Sequence, residues 1–188
     1  MLARNVPALS TREPGGSVGA EEIRGLLVGG APGRWDPLAE ALLHFAARRE
    51  HIASTIRPAL DKGTWVLCDR FTDSTMAYQG YAQGVGRETI ERLEQTVLGD
   101  MRPALTIILD LPVEAGLHRE QAAGGKDRYA RFGIEFHRKV RDAFLDIAKR
   151  EPKRCAVVDA TRSIDVVAAD VFRIVDQRLL HARKASAT

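Results

Sequence analysis

Three runs in this chain, "TWVLCD", "ALTIILDL" and "CAVVDA", are each an apolar stretch closed by an aspartate. Uninterrupted apolar runs of this length suit parallel β-strands covered on both faces, because an edge or half-exposed strand would alternate polar and apolar residues. An earlier stretch, Val6 to Ser10, reads as a further strand. Helical patterns fill the intervals. "GAEEIRGLLVGG" is a short helix stopped by glycines. Asp36 followed by Pro37 reads as an N-cap with proline at the first helical position. That helix carries Leu38, Leu42, Phe45, Ile52 and Ile56 on one face, with a kink at Pro58 and a stop at Gly63. Helices follow over Asp73–Tyr81, Arg87–Leu98, Val113–Ala123 and Ile134–Arg150. A last one, capped by Thr161 or Ser163, reaches about His181. Strands alternating with helices predict an α/β fold with a mostly parallel sheet. Ligands of such sheets bind at the carboxyl ends of the strands. Asp69, Arg70, Asp110, Asp159 and the Thr11–Gly16 turn are therefore expected along one rim.

Composition narrows the function classes. A length of 188 residues with 45% hydrophobic residues suits one domain with a full core. No apolar run approaches the ~20 residues of a membrane span, and the N-terminus has no signal-peptide pattern. The two cysteines, Cys68 and Cys155, lie inside strand-like runs and read as buried free thiols of a reducing compartment. A net charge of +3 admits an anionic ligand. The six Phe, three Tyr and two Trp are scattered, so no platform for stacking nucleic-acid bases is visible, and nucleic acid is not expected as a partner.

Four stretches carry candidate chemistry. In "CDRFTDSTMAYQG", Asp69 and Arg70 leave a strand at its carboxyl end. The arginine offers a planar fork of donors to a phosphate, and the aspartate can hold a Mg²⁺-bound water. Ser74, Thr75, Tyr78 and Gln79 follow at helical spacing. The plainer alternative makes Asp69–Arg70 a surface ion pair and Tyr78 a core residue. In "HFAARRE", Phe45 and Arg48 are three apart and so neighbours on a helix, placing an aromatic face beside an arginine that can clamp a planar base; the alternative is a core Phe45 and a solvated Arg48. In "TREPGG", Arg12, Glu13 and Pro14 precede two glycines that allow close backbone approach to a ligand, or form an ordinary turn. "GLHREQAAGGKDRYARF" gathers Arg119, Lys126, Arg128 and Arg131 around a Gly-Gly hinge, either a basic lid over a triphosphate or a solvated loop.

Taken in order, "TREPGG", "DRFTDSTMAYQG" and "LGDMRPALTIILDLPVEAGL" with "DR" in the following loop resemble the thymidylate kinase family, from about Val6 to about Leu180. The resemblance implies a single domain over 1–188 with a P-loop kinase-type sheet, a lid at about 119–132, ATP and Mg²⁺ as cofactors, dTMP as acceptor, a cytoplasmic location and a homodimer. It implies that Arg70 binds the dTMP phosphate and that Asp69 sits at the catalytic centre as the metal candidate. Arg48 contacts thymine, and Ser74, Thr75, Tyr78 and Gln79 line the nucleoside site beside Arg12, Glu13 and Pro14. Arg119, Lys126 and Arg128 belong to the lid, with Arg119 and Arg128 acting in transfer.

Three departures go with the resemblance. The family's stacking ring falls at His44, one residue before Phe45, which leaves both rings open for that role. The stretch after Arg119, "EQAAGG", has none of the lid arginines of some bacterial relatives. The family also begins with a strand, a G-x-x-x-x-G-K-[ST] loop and a helix, whereas these 188 residues contain no such loop. From this, the expectation is that the first βα unit is missing, that the strands at Trp65–Cys68 and Thr106–Asp110 flank a gap, and that the chain is inactive in phosphoryl transfer. The alternative functions are a non-catalytic dTMP-binding or dimerising protein and, more remotely, a basic nucleic-acid-binding domain.

Overall fold

Strand β1 (Ala8–Arg12) runs parallel to β2 (Trp65–Asp69), with Ala8 opposite Trp65 and Arg12 opposite Asp69. Strand β3 (Thr106–Asp110) runs parallel to β4 (Cys155–Asp159), with Asp110 opposite Asp159. The structure, a computed structural model, describes residues 6–122, 124 and 128–180. All pairings are parallel, as the alternation of elements predicts, and they form two two-stranded sheets. The chain divides into two compact units, Met1–Asp100 with Lys126–Phe132, and Met101–Gly125 with Gly133–Thr188.

In the first unit, β1 leads through the TREPGG turn into α1 (Val18–Val28), whose N-cap Ser17 accepts from the Ala20 amide. Asp36 caps α2 (Pro37–His51) by accepting from the amides of Leu38 and Ala39, with Pro37 at the start, as the sequence indicates. The helix then passes through one π-turn (Ile52–Ile56) into α3 (Arg57–Asp61). Pro58 explains the π-turn: it brings no N–H, and its ring crowds the carbonyl four residues back, so the ladder widens there instead of breaking. After β2 come α4 (Thr72–Thr75), a π-turn (Met76–Ala82) and α5 (Arg87–Leu98). A 3₁₀ turn at Tyr129–Arg131 completes the unit. Leu27, Phe45, Ile52, Met76 and Ile90 form its core, each contributing roughly 1.5–3 kcal/mol of apolar burial.

In the second unit, α6 (Val113–Ala122), α7 (Ile134–Arg150) and α8 (Ile164–Val175) accompany β3 and β4. Its core includes Ile108, Val140, Ile147 and Val158.

Two expectations are corrected. The first strand runs from Ala8 to Arg12, not Val6 to Ser10. Pairing with β2 extends it into the turn, up to a hydrogen bond from the Glu13 amide to the Asp69 carbonyl at 2.9 Å. The strands are also not covered on both faces: Leu67, Leu109 and Val157 are 46%, 52% and 46% exposed. Successive side chains point to opposite faces, so an apolar run does not reveal that one face is left open. Both cysteines are free as expected; Cys155 is buried and Cys68 is half-buried. Burial and the nearby Glu13 carboxylate push the Cys68 thiol up to about 12, which makes it an inert thiol.

Candidate functional site

The TREPGG turn is built around one buried carboxylate. The Glu13–Pro14 peptide is cis. Glu13 Oε2 accepts from Arg48 Nε at 2.7 Å, and its Oε1 accepts from His51 Nδ1 at 3.0 Å. A carboxylate only accepts, so Nδ1 of His51 carries hydrogen; in the neutral ring Nε2 then accepts from the Thr11 hydroxyl at 2.8 Å. Arg48 and His51 are three residues apart on α2 and both reach the turn because they share a helix face. Gly16 makes this packing possible. It has φ +87, and a Cβ there would lie 2.3 Å from His51 Nε2 and 2.6 Å from Thr11 Oγ1. Glu13, His51 and Cys68 place ligand-type atoms within 4.8 Å of one another. Glu13 and His51 spend those atoms on hydrogen bonds, so the cluster is a structural network.

Arg48 is the centre of the site. Its side chain is 2% exposed, and its guanidinium lies 4.9 Å from the Phe45 ring and 5.2 Å from the Phe71 ring. Nη2 donates to the Thr75 hydroxyl at 3.1 Å. Nη1 is buried and finds no partner among the described residues. A buried guanidinium donor without a partner is costly, and a ligand carbonyl would satisfy it.

Arg70 adopts φ 65, in the left-handed region. For a residue with a Cβ this costs about 1 kcal/mol or more and marks functional sites. Its guanidinium lies 5.3 Å from the Tyr78 ring. Asp69 is exposed at the carboxyl end of β2, and among the described residues no side chain pairs with its carboxylate. A free hard-oxygen ligand in that position fits Mg²⁺.

The structure brings the remaining candidates together unevenly. Thr75 and Tyr78 join Arg48 and Arg70, while half-buried Ser74 lies on the same short helix α4 as Thr75. Gln79 is buried, and its amide donates to Glu40 Oε1 at 2.7 Å. Arg12 is exposed and pairs with Glu21 at 3.0 Å. The Pro14 carbonyl accepts from Arg24 at 2.8 Å. In the second unit, Arg119 donates to the Ala160 carbonyl at 3.0 Å. Asp110, expected on the rim, is held by Arg141 through two hydrogen bonds of 2.7 and 3.0 Å, which keep its carboxyl below the usual range. Asp159 is occupied by Thr161 and Arg162. Lys126 lies outside the described residues.

Arg128 is a correction. The sequence places it either in a basic lid over a triphosphate or in a solvated loop, and the solvated loop does not hold. It is wholly buried in the first unit and paired with the equally buried Glu40. Nη2 of its guanidinium is committed to that internal carboxylate, and its Nη1 is buried without a partner among the described residues. The question of which ring neighbours the site also gains geometry: Phe45 lies buried under Arg48, whereas His44 Nε2 meets the Tyr129 hydroxyl at 2.9 Å. Glu40, His51, Phe71 and Tyr129 were missed. Phe71 was legible, being the third letter of "DRF". Glu40 and His51 are polar positions on a helix whose local pattern does not mark them as buried.

Burial, then the charges of Arg48, Arg128 and Arg70, push the His44 imidazole down to about 3. An unfolded chain binds this proton near the ordinary value of 6.5. The folded state therefore loses stability as pH falls below 6.5, and the loss continues toward 3. Its slope is at most about 1.4 kcal/mol per pH unit for one group. His44→Phe should flatten this part of the profile. Urea midpoints at pH 7.5, 6.5 and 5.5 check it, and an unchanged pH dependence in the variant would refute the assignment.

A family model described as "Thymidylate kinase" matches residues 2–171. A thymidylate kinase of Caulobacter vibrioides is 54% identical over 169 residues, which cover 90% of this chain and 81% of that protein. One from Afipia carboxidovorans is 48% identical, covering 100% of this chain and 83% of that protein. The crystal structure of a thymidylate kinase from Ehrlichia chaffeensis superposes with a TM-score of 0.70 at 37% identity, covering 92% of this chain and 81% of that one. These matches do not bear out the expectations that a nucleotide-cradling unit is missing or that the protein is inactive. Among the described residues no helix is long and apolar enough to cross a membrane.

Proposed function

The chain belongs to the thymidylate kinase family, and from that membership together with the geometry around Arg48 we propose that it transfers the γ-phosphoryl group of ATP to dTMP. An oxygen of the dTMP phosphate attacks the γ-phosphorus, and the β–γ bridging oxygen leaves with ADP, giving dTDP. Catalysis of such a transfer is mostly positioning and charge stabilisation.

The observation that carries the acceptor assignment is Arg48. It is a buried guanidinium, held rigid by Glu13 and Thr75 and sandwiched near two phenyl rings, with one donor unpaired. A flat base with a carbonyl oxygen complements it. Arg70 binds the acceptor phosphate as a fork of charged donors, and the Tyr78 ring beneath it limits room at the sugar. Asp69 is the residue that would hold Mg²⁺, which when bound neutralises phosphate charge. Arg119 contacts the donor nucleotide. The protein works in the cytoplasm as a homodimer, and Leu38 and Leu42, 43% and 49% exposed at one-turn spacing on α2, offer an apolar stripe for the partner.

A second reading, a dTMP-binding protein without turnover, is favoured by one observation: the acceptor-side residues all come from the first unit. Calorimetry with dTMP and an assay for dTDP with Mg·ATP separate the two. Binding with dTDP formation is the expected outcome. Binding without turnover selects the second reading, and absence of both sinks the acceptor assignment.

A further inference from the structure

Arg128 makes an unusual number of internal bonds for a residue of a charged loop. Its amide donates to the Val28 carbonyl at 3.0 Å and its Nε to the Leu27 carbonyl at 3.0 Å. These are carbonyls of the last turn of α1, which have no partner within the helix. Its Nη2 donates to Glu40 Oε2 and, at 3.1 Å, to the Tyr129 hydroxyl. The other Glu40 oxygen, Oε1, accepts from Gln79 at 2.7 Å, Gln83 at 2.9 Å and Tyr129 at 3.0 Å. Within this network Arg128 Nη1 and Gln83 Oε1 stay buried without a partner among the described residues, whereas the protons at Tyr129 can be assigned. The Tyr129 hydroxyl has one hydrogen and gives it to Glu40, so His44, 2.9 Å away, must donate from Nε2. Three groups thus fix one phenol. Arg128 itself stacks on the ring it positions, 4.7 Å from its centroid.

The fixed phenol leads to the acceptor site. The Tyr129 ring stands edge-on to Tyr78, with centroids 5.6 Å apart and planes at 88°. Tyr78 in turn carries the Arg70 guanidinium on its face. We propose that Arg128 is a positioning residue of the acceptor site: through Glu40 it locks Tyr129 against Tyr78 and so sets where Arg70 meets the acceptor phosphate. This rests on the acceptor reading above. The pairing spans 88 residues of sequence, and Arg128 serves the acceptor side by being buried there.

The test is calorimetry of the full chain with two probes, dTMP and thymidine, which differ by the phosphate. Arg128→Met is expected to weaken dTMP about tenfold, or about 1.4 kcal/mol, and thymidine by less than about twofold. Arg128→Lys should recover little, because a single ammonium cannot serve Leu27, Glu40 and Tyr129 at once. Tyr129→Phe should weaken dTMP as well, and combining it with Arg128→Lys should add little further loss, because both act through the same phenol. Equal losses for both probes, or strictly additive effects, would assign Arg128 a structural role only and overturn the proposal. Should Arg128→Met fail to fold, the Lys and Phe variants and their cycle carry the same decision. If the unmodified chain binds no dTMP, the acceptor reading falls and this proposal falls with it. If the unmodified chain binds dTMP and the variants bind it equally well, only the positioning role is lost.

Discussion

Replacing Arg48 with alanine should destabilise the folded chain by roughly 3–5 kcal/mol, the cost of breaking a buried ion pair by removing one partner. The size follows from burial. Arg48 and Glu13 are 2% and 4% exposed and 2.7 Å apart. Without the guanidinium, the largely buried Glu13 carboxylate keeps only His51 as a side-chain partner among the described residues. The Thr75 hydroxyl loses its donor as well. Urea unfolding, with the slope compared between variant and parent, measures the loss. A companion double replacement, Glu13→Gln with Arg48→Met, removes both charges and should recover a substantial part of it, because the penalty is mainly that of the orphaned carboxylate. Arg48→Lys separates folding from recognition. It keeps a cation near Glu13 but lacks the rigid fork and its unpaired Nη1. It should fold and lose most dTMP affinity. A drop below about 1 kcal/mol for Arg48→Ala would mean that the turn is held by its backbone alone and that the network is incidental.

Arg70→Gly is expected to have the opposite signature, with affinity lost and stability kept. Arg70 has φ 65, a conformation that glycine adopts freely and other residues reach at about 1–2 kcal/mol. Glycine's greater freedom in the unfolded chain returns part of that gain, so the variant should be as stable as the parent or up to about 1 kcal/mol more stable. Loss of a charge-assisted fork to phosphate should cost about 2–4 kcal/mol of dTMP binding, roughly 30- to 1,000-fold. Thymidine, which has no phosphate, should bind parent and variant alike. A variant that binds dTMP normally would remove Arg70 from the phosphate role. A variant that melts well below the parent would show that the side chain supports the fold and is not a strained functional group.

Much of this architecture is legible without coordinates. The Asp36–Pro37 cap and the spans of α5 and α7 follow from the sequence to the residue, because caps and helical periodicity are local. The carboxyl-end positions of Asp69, Asp110 and Asp159 followed from the same apolar runs. The adjacency of Phe45 and Arg48 followed from helix geometry alone. The site was less legible. His51 reads as the polar end of a helix, yet it is wholly buried between Glu13 and Thr11, 38 and 40 residues away. Glu40 reads as a solvated charge near a helix N-terminus, yet it is fully buried and receives four side chains. Arg128 reads as part of a basic lid or a solvated loop, yet it is among the most buried of the described residues.

By itself, the sequence determined what depends on neighbours along the chain: the α/β alternation, the limits of α5 and α7, the parallel strands, and the presence of an arginine and an aspartate where β2 ends. The motifs carrying those residues also sufficed to indicate the family. Only the tertiary structure decided which charges are partners, that Phe71 also lies beside Arg48, and that Arg128 faces inward to Glu40. The physical reason is that periodicity encodes the face of an element, whereas a buried ion pair is selected by desolvation. A carboxylate and a guanidinium 88 residues apart are forced together because neither can be buried alone, and no local pattern records that constraint.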